Sequence, residues 1–147
     1  MRAVLVLLLA GLLLCSCTEH GQQPRTSFQD YPAAVKEYLD AEGRLDLPSG
    51  KSWPASPIPH NDSEREEYER FAGTALAELF YFCAWADTYR VTGGSIEAAT
   101  RISQIKGMDV YRNRSDAETK RLFGVAAAAA SRGDSAGVLD STHQLCG

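Results

Sequence analysis

Apolar residues recur at helical rather than strand spacing along the chain after residue 30. This pattern predicts helices over 32–42, 63–91, 96–106, 116–131 and 135–145. The second is the longest, and its middle is apolar over most of its circumference, as in helices buried on several sides. No segment alternates with period two for long enough to indicate a strand. We therefore expect an all-α fold, a small irregular bundle of about five helices around a long central helix.

Polar residues that suit helix N-caps precede the predicted helices: Asp30, Ser63, Ser95, Ser115 and Asp134. Ser63 and Ser115 are each followed three residues later by glutamate, which is the spacing of a capping box. The helical periodicity also assigns residues to buried faces. We expect Ile96 to face the core from the third helix and Leu139 from the fifth.

The segment 44–61 contains four prolines, so it predicts a long loop rather than a helix. Long connections without structure of their own are often functional in compact domains. Trp53 and Ile58 are apolar residues that could pin this loop to the bundle. We include Trp53 in a candidate interaction surface.

The start of the chain predicts export. A short positive start is followed by an apolar run over 3–14, which is too short to cross about 30 Å of hydrocarbon as a helix. The run ends in Leu14-Cys15-Ser16-Cys17. This tetrapeptide resembles the end of a bacterial lipoprotein signal peptide, in which an aliphatic residue and two small residues precede the lipidated cysteine. Cys15 departs from the small residue that is usual at the middle position.

The resemblance covers only the export signal and implies nothing about the domain behind it. It implies a signal peptide over 1–16, cleavage before Cys17, and a diacylglyceryl group on the Cys17 thiol. Two or more acyl chains give stable membrane anchoring. We therefore expect a tether over 17–29 and a helical domain over 30–147. The expected location is the bacterial cell envelope, with the domain anchored to a membrane and exposed outside the cytoplasm.

Two cysteines remain for the domain, Cys83 and Cys146. An even pair in an exported chain predicts a disulfide, which would tie the fifth helix to the middle of the second. The alternative is a pair of buried thiols. Zinc sites need closely paired ligands, and these cysteines with three scattered histidines lack such spacing. We expect no metal and no cofactor.

The charges of the chain limit its partners. A formal net charge of −4 argues against nonspecific binding to nucleic acid. Basic residues are concentrated over 101–121, where Arg112 and Arg114 flank a predicted turn. A basic patch there would suit an anionic partner such as a wall polymer, a lipid head group or an acidic protein.

Glu78 is the one residue of the central helix that suggests catalysis. A buried carboxyl with a raised pKa could serve as a general acid, as in small helical glycosidases. However, Glu78 shares a helical stripe with Arg70 and Thr74, so we expect it to face solvent or a polar seam. Glycoside hydrolysis also needs a second carboxylate, for which the sequence offers no partner.

These observations favour a non-enzymatic envelope lipoprotein that binds another protein. The expected contact residues are Trp53, Arg112 and Arg114. Two alternatives stay open. A carrier of a small apolar ligand would need a cavity lined by the central aromatics Phe80, Phe82 and Trp85. A cell-wall-active hydrolase would need a cleft that pairs Glu78 with another carboxylate.

Overall fold

The computed structural model describes residues 27–55, 58–59 and 66–147. The helices are α1 (Tyr31–Glu42), α2 (Ala72–Val91), α3 (Ile96–Ser103), α4 (Ala117–Ser131) and α5 (Ser135–Cys146). A 3-10 turn at Gln104–Gly107 and one π-helical turn at Val110–Arg114 lie between α3 and α4. Strands β1 (Phe28–Gln29) and β2 (Tyr68–Glu69) pair antiparallel. The predicted all-α fold is confirmed. The predicted signal peptide and the lipidation site at Cys17 lie outside the described residues.

Helix α2 is the centre of the bundle, as predicted. It packs against α1, α3 and α5, and α4 completes the domain by packing against α3 and α5. None of the described helices is both long and apolar enough to span a membrane. The described part of 44–61 contains turns and extended chain without a helix or strand, in agreement with its proline content.

The predicted start of α2 is wrong. The helix begins at Ala72 rather than at position 63, which itself lies outside the described residues. The chain before it is extended, and Tyr68–Glu69 pairs with Phe28–Gln29 from the segment that we expected to be tether. Phe71 then takes a left-handed conformation with φ of 66°. Pairing with a distant segment has overridden the local helix signal, which is a weak preference by comparison.

Gly73 allows α1 and α2 to approach each other closely. A Cβ at this position would lie 2.0 Å from the carbonyl oxygen of Ala34 and 2.8 Å from the amide nitrogen of Tyr38. Both obstacles are backbone atoms of α1, which cannot rotate away. The contact therefore requires glycine, and it fixes the distance between the two helices.

The core has two parts. The larger part lies among α2, α3, α4 and α5, where the Phe82 and Phe123 rings meet edge to face at 4.9 Å. The smaller part lies between α1 and α2 and contains Ala34, Tyr38, Ala41, Ile58 and Ala77. Trp53 contacts both parts. Its ring is 5.8 Å from that of Tyr38 and 5.2 Å from that of Phe80.

The predicted disulfide between Cys83 and Cys146 is confirmed. It connects the middle of α2 to the last residue of α5, across a sequence separation of 63 residues. The end of the described chain is thus covalently attached to the central helix.

Two residues assigned to buried faces are exposed instead. Ile96 is 87 % exposed and Leu139 is 50 % exposed. Ile96 is the first residue of α3, and the buried residues of this helix are Ala98, two positions later, and Ile102. In α5 the buried residues are Val138, Ser141 and Thr142. The periodicity placed α3 and α5 close to their observed positions but assigned these two residues to the wrong face.

The caps are partly as predicted. Asp30 and Asp134 cap α1 and α5, each accepting a hydrogen bond from a backbone N–H three residues on. Helix α4, however, is capped by Asp116, which accepts from the N–H of Thr119 at 2.7 Å. The predicted capping residue Ser115 instead donates to the carbonyl oxygen of Val110. An aspartate next to a serine can replace it as the cap because both side chains accept well at this position.

Candidate functional site

The π-helical turn at residues 110–114 is held at its first residue by two side chains from outside the turn, one distant in sequence and one directly after it. Glu78 of α2 accepts a hydrogen bond from the N–H of Val110 at 2.7 Å. Ser115 donates from its Oγ to the carbonyl oxygen of Val110, also at 2.7 Å. Both polar backbone groups of this buried residue are therefore satisfied. We call residues 110–114 the 110–114 turn.

The second half of the 110–114 turn is also held. The Nδ2 of Asn113 donates to Oδ1 of Asp109 at 2.6 Å, and the Nζ of Lys120 in α4 donates to the carbonyl oxygen of Arg112 at 3.0 Å. Single π-helical turns are rare and occur frequently at functional sites. This turn is therefore held by hydrogen bonds to side chains of α2 and α4.

Arg114 holds the turn against β2. Its Nη1 donates to Oε2 of Glu69 at 2.6 Å, and its Nε lies 3.7 Å from Oδ2 of Asp109. Its guanidinium carbon is 5.9 Å from the centre of the Phe71 ring. The side chain is only 21 % exposed. Arg114 was predicted as a contact residue, but its guanidinium forms ion pairs with Glu69 and Asp109 of the same domain.

Arg112, the other arginine predicted at this surface, has a different environment. It is exposed, and its guanidinium has no ion pair or hydrogen bond within the described part of the chain. Lys120 brings a second positive charge to the backbone of the same residue. Arg121 in the same helix is instead paired with Glu118 at 2.6 Å. The 110–114 turn thus presents one unpaired arginine from a fixed backbone.

Trp53, the third residue predicted at the interaction surface, packs against both parts of the core. Its ring is half-buried between α1 and α2 through the contacts with Tyr38 and Phe80. We therefore interpret Trp53 as a residue that fixes the proline-rich loop to the bundle. Ile58, at 1 % exposure, has the same role.

Glu78 was expected to face solvent or a polar seam, and the structure places it at a polar seam rather than in solvent. The residue is only 9 % exposed. Burial raises the pKa of the Glu78 carboxyl above its usual range, while the backbone N–H groups of Val110 and Asp109 act in the opposite direction. A helical stripe that is polar elsewhere is covered here because the 110–114 turn packs over it.

Glu78 lines a cleft of about 390 Å³ between α1, α2 and the residue before the turn. We call it the acidic cleft; its lining residues are Glu37, Asp40, Arg44, Phe71, Thr74, Glu78 and Asp109. Glu78 and Asp109 therefore share one cleft, as a hydrolase would require. Both carboxylates already accept hydrogen bonds that shape the turn, from Val110 and from Asn113.

The central aromatic residues pack against their neighbours. Phe82 is completely buried against Phe123. The indole N–H of Trp85 donates to the carbonyl oxygen of Asp46 at 3.0 Å, and the guanidinium of Arg101 lies 5.5 Å from its ring. These contacts are typical of a packed core. They give no specific support to the hypothesis that the protein carries a small apolar ligand.

Sequence reasoning missed the residues that build the turn. Glu78 and Val110 are 32 positions apart, and Glu69 and Arg114 are 45 apart, so neither contact has a local signal. No protein-family model, no curated protein and no solved structure matches this chain. Among the residues that the structure describes, no group of three or more His, Cys, Asp or Glu side chains is placed to hold a metal ion.

Proposed function

We propose that this chain is a lipid-anchored protein of the bacterial cell envelope that binds another envelope protein without catalysing a reaction. The resemblance at Leu14-Cys15-Ser16-Cys17 supports the anchor and the location. The disulfide supports export, because such bonds persist mainly in oxidising compartments outside the cytoplasm. The proposed activity requires no cofactor, metal or nucleic acid.

The observation that carries the binding proposal is the 110–114 turn, whose backbone is held by hydrogen bonds and which presents an arginine without a partner in the described structure. A preorganised contact loses less conformational entropy on binding. Arginine is enriched among the residues that dominate binding energy, and its guanidinium can bind a carboxylate through two hydrogen bonds. The partner surface that fits Arg112 and Lys120 is acidic.

Photo-crosslinking in the native membrane tests this proposal. Lys106 is exposed and lies in the 3-10 turn that packs against the 110–114 turn, so a photoreactive amino acid there would sample a bound partner. We expect one cross-linked protein, and we expect Arg112→Ala to reduce its yield strongly. The matched control is Arg132→Ala, because Arg132 is also exposed and has no ion pair in the described structure. Equal yields from the two variants would contradict the proposal.

The anchor is tested separately. A Cys17→Ala variant should not carry the acyl mass and should be released from membranes into the soluble fraction, while the wild type sediments with them. If the unsubstituted protein is itself soluble and unacylated, the proposed location is wrong, whatever the cross-linking result.

A wall-active hydrolase is a second candidate because Glu78 and Asp109 line one cleft. It predicts release of soluble fragments from purified wall polymer, with loss of this activity in Glu78→Gln. Glu37→Gln is the control, since it changes another carboxylate of the same cleft. The binding proposal predicts no release by any of the three proteins. The hydrogen bonds that already engage Glu78 and Asp109 favour the binding proposal.

A further inference from the structure

The disulfide lies in an open groove of about 420 Å³ between α2 and α5. We call it the disulfide groove; its lining includes Phe80, Cys83, Asp87, Leu139, His143 and Cys146. Cys146 is exposed and Cys83 is half-buried. From this geometry we expect a thiol in solution to reach the bond without unfolding of the domain, and to meet Cys146 before Cys83.

The side chains that line the groove include two cations, Lys51 and Arg90, and one anion, Asp87. Lys51 and Arg90 both bind Asp87, at 2.7 and 2.6 Å, so two positive charges share one carboxylate. These two cations hold the pKa of Asp87 below its usual range. Asp87 lies one helical turn after Cys83, and His143 lies one turn before Cys146. Positive charge beside a cysteine stabilises its thiolate and makes it a better leaving group.

Breaking the bond would release only the end of α5. Val138, Ser141 and Thr142 are buried against the rest of the bundle, and they belong to the earlier turns of the helix. After Thr142 the side chains are exposed except for Leu145, which is half-buried. The helix therefore has an attachment to the core that does not depend on the disulfide.

We propose that the Cys83–Cys146 bond is a thiol-exchange site that a dithiol reductant cleaves in the folded protein. A thiolate of the reductant attacks Sγ of Cys146, forms a mixed disulfide with it and displaces Cys83 as a thiolate. The second thiolate of the reductant then attacks the reductant sulfur that is bonded to Cys146. This step closes a disulfide within the reductant and displaces Cys146 as a thiolate. The reductant loses two electrons and becomes a disulfide, and the two cysteines take up two protons from water.

Reduction of the full-length protein by dithiothreitol without denaturant tests accessibility. Free Cys83 and Cys146 are followed by alkylation and peptide mapping, which keeps Cys15 and Cys17 out of the measurement. We expect a rate proportional to the dithiothreitol concentration and within about tenfold of the rate for the urea-unfolded chain. We also expect the helical circular dichroism to be retained. A rate independent of dithiothreitol, or one about a thousandfold slower than in the unfolded chain, would overturn the proposal.

Substitutions of the groove charges should change the reduction rate in opposite directions. Lys51→Gln removes a cation and should slow native-state reduction about threefold, whereas Asp87→Asn removes the anion and should accelerate it by a similar factor. Arg132→Gln should leave the rate unchanged.

A second measurement uses the monothiol glutathione with rapid alkylation. We expect the mixed disulfide on Cys146 and the alkyl group on Cys83. The reverse distribution, or equal rates in the first two variants, would contradict the assigned chemistry.

Discussion

Gly73→Ala should destabilise the domain, although alanine is the better helix former. The new Cβ would lie 2.0 Å from the carbonyl oxygen of Ala34, in a contact where carbon and oxygen atoms normally stay beyond about 3 Å. Both nearby groups are backbone, so α1 must shift by about 1 Å or more. This shift would disturb Tyr38, which is 1 % exposed beneath it.

The magnitude follows from two opposing effects. Overpacking of a tight interior contact costs about 3 kcal/mol at the upper end of the usual range, which applies here because no side chain can move aside. Replacing glycine by alanine within a helix returns about 1 kcal/mol. We therefore expect the free energy of unfolding to fall by about 2 kcal/mol.

Gly124→Ala is the matched control. Gly124 lies inside α4, and a Cβ there would meet no atom within 4 Å. Only the helix preference remains, so this variant should gain about 0.5 to 1 kcal/mol. Urea unfolding followed by circular dichroism, with the disulfide intact, measures both values. A neutral or stabilising Gly73→Ala would refute the close helix contact, because the two variants would then behave alike.

Four further predictions concern stability. Replacing both Cys83 and Cys146 with alanine should lower the free energy of unfolding by about 4 kcal/mol, because the bond closes a loop with a separation of 63 residues; a loss below about 1 kcal/mol in urea unfolding would contradict this value. Glu78→Ala should cost about 1 to 3 kcal/mol because it leaves the N–H of Val110 without an acceptor, whereas Glu78→Gln keeps an acceptor and should cost less. Since burial raises the Glu78 pKa, the folded state binds this proton more tightly than the unfolded state. The Glu78 contribution to stability therefore increases as pH falls through the folded pKa, and the difference between wild type and Glu78→Gln should show this slope in urea titrations. Arg114→Ala should cost about 1 kcal/mol in the same assay by removing the contacts with Glu69 and Asp109, and equal stability at low salt would contradict its structural role.

The sequence predicted what depends on local pattern. The five helices follow from apolar periodicity, and the caps Asp30 and Asp134 follow from short polar side chains at helix starts. The pairing of Cys83 with Cys146 follows from the number of cysteines behind a start of the chain that predicts export. Each of these features is set by neighbouring residues or by a simple count of cysteines, so one sequence is enough to predict it.

The sequence could not predict what depends on distant segments. The early start predicted for α2 failed because Tyr68–Glu69 pairs with Phe28–Gln29, about 40 residues earlier. The environment of Glu78 depends on a turn more than 30 residues away. The candidate site was found only as a concentration of basic residues. Which arginine is free and which is engaged depends on Glu69, whose proximity has no sequence signal.

The central claim is that the 110–114 turn binds a partner protein. The most direct test is to purify the partner expected from the cross-linking experiment and to measure its affinity for the wild type, Arg112→Ala and Arg132→Ala. Isothermal titration calorimetry at fixed salt measures all three. Our account predicts that Arg112→Ala weakens binding by at least about tenfold, as for a central interface arginine, and that Arg132→Ala leaves the affinity unchanged. Equal affinities for the wild type and Arg112→Ala would contradict the claim that the 110–114 turn is the binding surface.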